Sequence, residues 1–299
     1  MEFNKLIGNE KIKQNLIKIL KNKTIAHSYM FIGTKGIGKK EFAKEFARGI
    51  LCTNNENKLC EKCKSCIEFV NNNNPDYYEI GLEEDEKSIK IDTIRLMQNK
   101  VQELPIVSDR KVYIIDDSEY MTKEAQNCLL KTLEEPPESV TIILIVSNEN
   151  LILNTIKSRC LKMYFSDLSD DELKRYVKEN LSIEEFSDNM LKACGGSPGK
   201  AKNIYKNNEI YEELDRIFTN VDNYTLTDIY SKLDVLYKNK DEIQDILEYL
   251  NTIFINKAKY DIKYIDYIKY VEETKRNINA NCNYDMCIDN LVFNIFKIK

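Results

Sequence analysis

A glycine-rich segment near the amino terminus has the residue types that bind phosphate. Its glycines and lysine have the spacing of the Walker A motif: Gly33, Gly36, Gly38 and Lys39. In such a loop the backbone N–H groups and the N-terminus of the next helix bind phosphate oxygens, while the lysine reaches the β- and γ-phosphates. The next position normally holds the Ser or Thr that binds Mg²⁺, but here it is Lys40. Because an ammonium cannot bind a cation, the sequence predicts a degenerate nucleotide site.

Two interpretations of this loop stay open. One is a loop that still binds nucleotide, although the missing Mg²⁺ ligand predicts that ATP binding is weak or absent and that hydrolysis is inefficient. The other is a glycine turn that keeps only the shape of the motif.

An acidic pair, Asp116-Asp117, follows the apolar segment Val112 to Ile115. An active ATPase of this type has Asp followed by Glu here, and the Glu polarises the attacking water. Asp117 is one methylene shorter, so its oxygens retract by about 1.5 Å. A misplacement near 1 Å can cost on the order of 100-fold in rate. The pair therefore favours a site with little hydrolysis, and the alternative is an acidic turn at a strand end.

Four cysteines form the most specific metal-binding pattern, in an insert at residues 52–66: Cys52, Cys60, Cys63 and Cys66. Four thiolates suit tetrahedral Zn²⁺, and a closed site of this kind is structural because no position is open for catalysis. An iron–sulfur cluster is the alternative, although its C-x-x-C-x-x-C run continues with C-x-x-x-C-P, which is missing here. The third possibility is that the insert binds no metal.

Arg159 follows an apolar strand, Val140 to Val146, and a short predicted helix, Leu151 to Lys157. An arginine finger neutralises charge on a transferred phosphoryl group and contributes roughly 10³ to 10⁵ in rate. Most arginines are solvated or paired, so the Ser158-Arg159-Cys160 sequence alone is weak evidence. Its position after the strand and helix favours a finger that acts on ATP bound to a neighbouring subunit.

Composition limits the class of protein. The net charge is −5, so the chain has no global basic field for nucleic acid. The longest apolar runs have the length of strands and are too short to span a membrane. The amino terminus lacks the features of a signal peptide, and we predict a cytoplasmic protein without membrane contacts. In that compartment nine cysteines favour metal binding or buried thiols over disulfides.

The order of predicted elements indicates an α/β protein followed by helices. Apolar strands alternate with helices up to about Phe165, which predicts a parallel sheet covered on both faces. After Ser169, which starts a capping box, only helical patterns occur. We expect three domains: a P-loop-type α/β domain at residues 1–165, a small helical lid at 166–205, and an all-helical C-terminal domain at 206–299.

These features together resemble the AAA+ clamp-loader subunits of bacterial DNA polymerase III, over roughly residues 1 to 205. The segments that support the resemblance are Ala26 to Phe31, the cysteine insert, Asn74 to Tyr78, Val112 to Asp117, Asn127 to Pro137, Ser158 to Cys160 and Gly196 to Gly199. The stretch Leu129 to Pro137 is the most diagnostic of them.

The resemblance implies a subunit of a DNA-directed DNA polymerase complex that hydrolyses little or no ATP itself. Within the family, Lys40 favours the delta-prime type over the gamma and tau motors, which keep Ser or Thr at that position. The family's C-terminal domains form a pentameric collar in a hetero-oligomer of gamma/tau, delta and delta-prime subunits, which loads a sliding clamp on primed DNA. Arg159 would act on ATP of an adjacent motor subunit. Lys200 occupies the sensor-2 position, where Arg is common, and lacks the fork geometry of Arg.

Two other functions stay open. The first is a catalytically active gamma/tau-type ATPase, since the loop glycines and Lys39 are present. The second is a zinc-dependent nucleic-acid-binding module built on the cysteine insert, which the acidic balance disfavours.

Overall fold

The computed structural model describes residue 3 and residues 6–54, 60–82, 86–181, 186–224 and 234–297. It consists of two compact units, residues 1–172 and 173–299. Parts of the predicted cysteine insert, lid and C-terminal domain lie outside the described residues. The division of the helical region into lid and collar stays a prediction.

The first unit alternates strands and helices, as the sequence predicts. Its strands are β1 (Ser28–Ile32), β2 (Tyr77–Ile80), β3 (Lys111–Ile115), β4 (Val140–Val146) and β5 (Leu161–Tyr164). Its helices are α1 (Glu10–Asn22), α2 (Lys39–Leu51), α3 (Lys64–Val70), α4 (Ile91–Val101), α5 (Lys123–Glu134) and α6 (Asn154–Lys157). A longer helix, α7 (Asp170–Leu181), follows the sheet. The hydroxyl of Ser169 accepts the N–H of Glu172, whose carboxylate in turn accepts from Ser169, which confirms the predicted capping box.

All five strands are parallel and lie in the order β2-β3-β4-β1-β5. Strand β1 therefore has neighbours on both sides, and the glycine-rich loop leaves the sheet from an interior strand. Parallel strands share one carboxyl edge, so the residues after β1, β3 and β4 lie close together there. This sheet confirms the predicted α/β fold class.

Apolar side chains fill both faces of the sheet. On one face, Phe31 packs with Phe42 and Phe46 of α2. On the other face, Met30 and Ile142 belong to a cluster that includes residues of α4 and α5. This double coverage explains why β1, β3 and β4 are apolar at successive positions rather than alternating.

The second unit is helical in the described residues. After α7 its helices are α8 (Asp188–Cys194), α9 (Pro198–Lys206), α10 (Asn208–Thr219), α11 (Asp234–Lys238), α12 (Ile243–Ala258), α13 (Tyr264–Asn279) and α14 (Tyr284–Lys297). Its core contains buried tyrosine and phenylalanine side chains, with Tyr211 packed edge-on against Tyr249. Among the described residues, none of the helices combines the length and apolar character needed to span a bilayer.

Candidate functional site

The glycine-rich loop joins β1 to α2 at the carboxyl edge of the sheet. A side chain at Gly33 would collide with Ile37 at 2.6 Å and with the carbonyl oxygen of Phe165 at 2.8 Å. Gly36 and Gly38 have φ angles of 80° and 96°, which L side chains rarely adopt. The backbone therefore requires glycine for reasons of conformation and space, and the loop lies between a strand and a helix, as a Walker A motif requires.

Lys39 begins α2, and its ammonium folds back into the loop. Its Nζ donates to the carbonyl oxygens of Gly33 and Thr34, at 2.6 and 2.8 Å, and lies 3.2 Å from the hydroxyl of Ser147. Burial lowers the pKa of Lys39, against the opposing charges of Glu119, Asp116 and Asp117. An incoming phosphate would have to draw this ammonium away from two carbonyls.

Lys40 points to a different set of groups. Its Nζ lies 3.1 Å from Asp116 Oδ2 and 3.2 Å from Glu79 Oε2. Burial alone would lower the pKa of Lys40, but the hydrogen bonds and charges of these two carboxylates outweigh it and raise the pKa. One helical turn later, Lys44 Nζ lies 2.7 Å from Glu79 Oε1. The residue in the place of the Mg²⁺ ligand is thus a cation held between two carboxylates.

The acidic pair follows β3, as predicted. Asp116 Oδ1 accepts the backbone N–H of Asp117 at 3.0 Å, while its other oxygen meets Lys40. Asp117 has a left-handed backbone with a φ of 49°. The alternative interpretation, an acidic turn at a strand end, also fits this local backbone.

The sequence motifs did not predict three side chains that lie at this edge. Glu79 lies on β2, and Ser147 directly follows β4. Glu119 is 8% exposed and accepts the N–H of Ser147 at 3.0 Å, while its Oε2 has no hydrogen-bond partner among the described residues. Ser147 could have been found from the rule that residues after adjacent parallel strands converge. The placement of Glu79 depends on the strand order, which the sequence did not reveal.

The four predicted cysteines come together. All four Sγ atoms lie within 4.8 Å of one another, and Cys52 Sγ is 3.6 Å from Cys60 Sγ and 4.0 Å from Cys63 Sγ. Sulfur atoms on a tetrahedral Zn²⁺ with bonds of about 2.3 Å are about 3.8 Å apart. The donor set and its spacing therefore fit a tetrahedral metal ion.

Local hydrogen bonds favour the thiolate at Cys60 and Cys63, whereas burial and hydrogen bonds with Cys63 and Cys52 raise the pKa of Cys66. The N–H of Cys63 points to Cys60 Sγ at 3.3 Å, and the N–H of Cys66 points to Cys63 Sγ at 3.5 Å. Burial on its own would raise the pKa of Cys63, but hydrogen bonds with Thr53 and with the backbone of Cys66 lower it to about 6. Since the thiolate is the metal ligand, the lowered pKa of Cys63 suits metal binding at that residue.

Arg159 lies at the other edge of the sheet, just before β5. Its guanidinium contacts Glu134 at 2.8 Å and donates to the carbonyl oxygen of Thr155 at 2.9 Å. Its own carbonyl oxygen accepts the hydroxyl of Ser28, the first residue of β1, at 2.6 Å. The glycine-rich loop starts after Ile32 at the opposite end of that strand, and four residue steps of about 3.3 Å separate the two ends by about 13 Å.

Lys200 lies in the second unit, near the start of α9. Its N–H is accepted by Ser197, the residue that caps this helix. Its ammonium lies 3.0 Å from Glu248 of α12, and both side chains are about half exposed. Its role at a nucleotide stays a prediction.

The sequence of the first unit matches a known protein family. The family model that matches is described as DNA polymerase III, delta subunit, and it matches residues 8–169, more than half of the chain. The chain belongs to this family. The resemblance found from the sequence motifs, to DNA polymerase III clamp-loader subunits of the AAA+ type, is thereby confirmed.

Relatives of two kinds occur for this member of the DNA polymerase III family. Subunit delta′ of Pseudomonas aeruginosa is 32% identical over 183 residues, covering 60% of this chain and 56% of that protein. Subunit tau/gamma of Haemophilus influenzae is 33% identical over 202 residues, covering 65% of this chain and 29% of that protein. The chain thus spans less than two thirds of the length of these relatives. Their names do not distinguish delta′ from tau/gamma for this chain.

A solved structure supports the fold of the family member over nearly its whole length. A Thermotoga maritima protein, described as DNA polymerase III gamma subunit-related, superposes with a TM-score of 0.58. The match covers 94% of this chain and 98% of the Thermotoga maritima chain, at 20% sequence identity.

Proposed function

We propose that this chain is a delta-prime-like subunit of the DNA polymerase III clamp loader that supplies Arg159 to ATP bound by a neighbouring ATPase subunit. Its partners would be the gamma/tau and delta subunits and, through the complex, the sliding clamp and primed DNA. The subunit would act as a scaffold in DNA replication in the cytoplasm, with its C-terminal helices in a collar, and would have little ATPase activity of its own.

The position of Arg159 carries this proposal. The arginine is anchored at the amino edge of the sheet, about 13 Å of strand away from the end that leads into its own glycine-rich loop. Its side chain is 35% exposed, and the Glu134 partner is half exposed. An arginine so placed is suited to a phosphate that a second subunit brings to this edge, rather than to its own.

The test is Arg159→Ala in the complex reconstituted with gamma/tau, delta, clamp and primed DNA. We expect ATP turnover at the site that Arg159 serves to fall by roughly 10³-fold, the lower end of arginine-finger effects. Arg95→Ala is the matched control, because Arg95 is also an exposed arginine paired with a carboxylate, Asp92. An unchanged clamp- and DNA-stimulated rate would refute the proposal.

We also propose that Cys52, Cys60, Cys63 and Cys66 bind a structural Zn²⁺. Four sulfur donors at tetrahedral spacing support this. The cluster follows α2, which begins at the glycine-rich loop and ends at Leu51. The metal would tie the end of this helix to the start of α3.

The second candidate function is a catalytically active gamma/tau-type ATPase. The observation in its favour is the intact loop, with Lys39 and its glycines in place. This function requires that the isolated chain turn over Mg-ATP and that Lys39→Ala abolish the turnover. If the isolated chain does not turn over Mg-ATP, the ATPase function is excluded and the delta-prime-like function remains.

A further inference from the structure

The carboxylates beside the glycine-rich loop already hold a cation. Glu79 and Asp116 lie on neighbouring strands, and Lys40 reaches both, at 3.2 and 3.1 Å. Burial would raise the pKa of Glu79, but hydrogen bonds from Lys44, Tyr77 and Lys40 outweigh it and lower the pKa. The lowered pKa of Glu79 and the raised pKa of Lys40 favour the charged form of both groups, and the ammonium lies between the carboxyl groups of Glu79 and Asp116.

This arrangement does not fit Mg²⁺. Mg²⁺ needs six oxygen ligands at about 2.0–2.1 Å. Few of these ligands come from the protein, so the loss of one protein ligand weakens its binding. At Lys40 the hydroxyl ligand is replaced by N–H donors, and one oxygen of Asp116 is engaged by the ammonium. A divalent cation would have to displace Lys40 from two carboxylates and then tolerate its charge nearby.

The same arrangement does fit a phosphate chain. Lys39 and Lys40 are consecutive residues at the N-terminus of a 13-residue helix, whose first N–H groups favour anions. An ammonium has three N–H donors, and the carboxylates of Glu79 and Asp116 take two of those of Lys40. Among the described residues these two carboxylates are the partners of the Lys40 ammonium, so its third donor remains for a phosphate oxygen.

We propose that the loop binds a nucleoside triphosphate without a divalent cation, with the Lys40 ammonium in the place of Mg²⁺. The residue that replaces the hydroxyl ligand thus sets the metal requirement of the site. A bound nucleotide of this kind lacks the metal that phosphoryl transfer uses to neutralise developing charge, so the site holds nucleotide without hydrolysing it. The inference concerns the chain's own loop and does not require that Arg159 act on a neighbour.

The test is calorimetric titration of the full chain with ATP, once with excess Mg²⁺ and once with EDTA. We expect wild type to bind ATP at least as tightly in EDTA as in Mg²⁺. Lys40→Thr restores the hydroxyl, and we expect it to bind ATP at least tenfold more tightly in Mg²⁺ than in EDTA. Lys44→Thr is the matched control: Lys44 also pairs with Glu79, but its one ion pair among the described residues does not involve Asp116.

Several outcomes would overturn the inference. They are wild-type binding that is tenfold weaker in EDTA than in Mg²⁺, no ATP binding in either buffer, or a Lys40→Thr variant without metal preference. If Lys40→Thr fails to fold, Lys40→Met keeps the apolar stem, and we expect it to bind ATP at least tenfold more weakly in EDTA than wild type does. Neither Arg159 nor a partner subunit takes part, so these results are independent of the Arg159→Ala test.

Discussion

The two edges of the sheet present positive charge in different ways. At the carboxyl edge, Lys40 lies between Asp116 and Glu79. At the amino edge, Arg159 pairs with one carboxylate among the described residues, Glu134, and is 35% exposed. The two side chains are similarly exposed, 39% for Lys40 and 35% for Arg159, so the difference lies in their carboxylate partners. Lys40 is held by two carboxylates, whereas Arg159 pairs with one and also donates to the carbonyl oxygen of Thr155. A cation held by a single carboxylate is the easier one to transfer to a phosphate of another molecule.

The largest expected effect is on the ATPase rate of the complex, when substitutions at the two edges of the sheet are compared. Arg159→Ala should lower turnover at one site by roughly 10³-fold, whereas Lys39→Ala in this chain should change the ATPase rate of the complex by less than about twofold. The reason is that the loop with Lys40 lacks the Mg²⁺ ligand needed for hydrolysis. Steady-state ATPase assays at saturating subunit concentration measure both. A larger loss for Lys39→Ala would reverse the comparison and favour the ATPase motor.

The next effect is the loss of stability when zinc is removed from the cysteine cluster, which follows the C-terminal end of α2. We expect about one equivalent of zinc per chain, and its removal should lower the free energy of unfolding of the first unit by about 3 kcal/mol or more, because ligation and folding are coupled. Metal analysis and urea unfolding with and without chelator measure this. Cys66→Ser should lose the zinc, while Cys282→Ser, at an exposed cysteine, should keep it. Less than a tenth of an equivalent in fresh protein would contradict the assignment.

The partner of Arg159 gives a smaller effect. Glu134→Gln removes the charge that holds the guanidinium, and the half-exposed pair contributes at most about 1 kcal/mol. Since the arginine must leave Glu134 before it meets a phosphate, we expect the ATPase rate of the complex to rise by up to about fivefold. Glu135→Gln, at the adjacent residue, is the control and should have no effect. A decrease in rate would show that Glu134 positions the arginine instead of restraining it.

The smallest expected effect is on how stability depends on pH, through the cluster formed by Lys40, Glu79 and Asp116. Hydrogen bonds from Lys44, Tyr77 and Lys40 hold the pKa of Glu79 below its ordinary value against the effect of burial. A carboxylate with a lowered folded-state pKa stabilises the protein above its unfolded pKa, near 4.3, and loses this contribution as the pH falls through the folded pKa. Glu79→Gln should therefore be less stable than wild type by less than about 1 kcal/mol at pH 7, and the gap should close below about pH 4.

Urea unfolding at several pH values measures this gap. Glu41→Gln, at an exposed position of α2 next to Lys40, is the control and should show no such pH dependence. A gap that persists at low pH would mean that Glu79 acts through packing and not through its charge.

Local sequence determined the elements and much of the site. Strands β1 and β4 coincide with their apolar segments, and Thr122, a residue type that favours N-caps, caps α5 by accepting the N–H of Ala125. The glycine loop and the Cys60, Cys63 and Cys66 spacing are also local, because turns and knuckles depend on residues a few positions apart. Residue type at each position was enough to predict these features.

Tertiary structure alone decided which groups meet. The order of the strands places Glu79 of β2 within reach of Lys40, and the α5 end places Glu134 against Arg159. These pairs are separated by 25 to 39 residues in the chain, so no local pattern records them. The distance of Arg159 from its own loop likewise follows from the length and direction of β1 within a parallel sheet, which the packing of helices on both faces fixes.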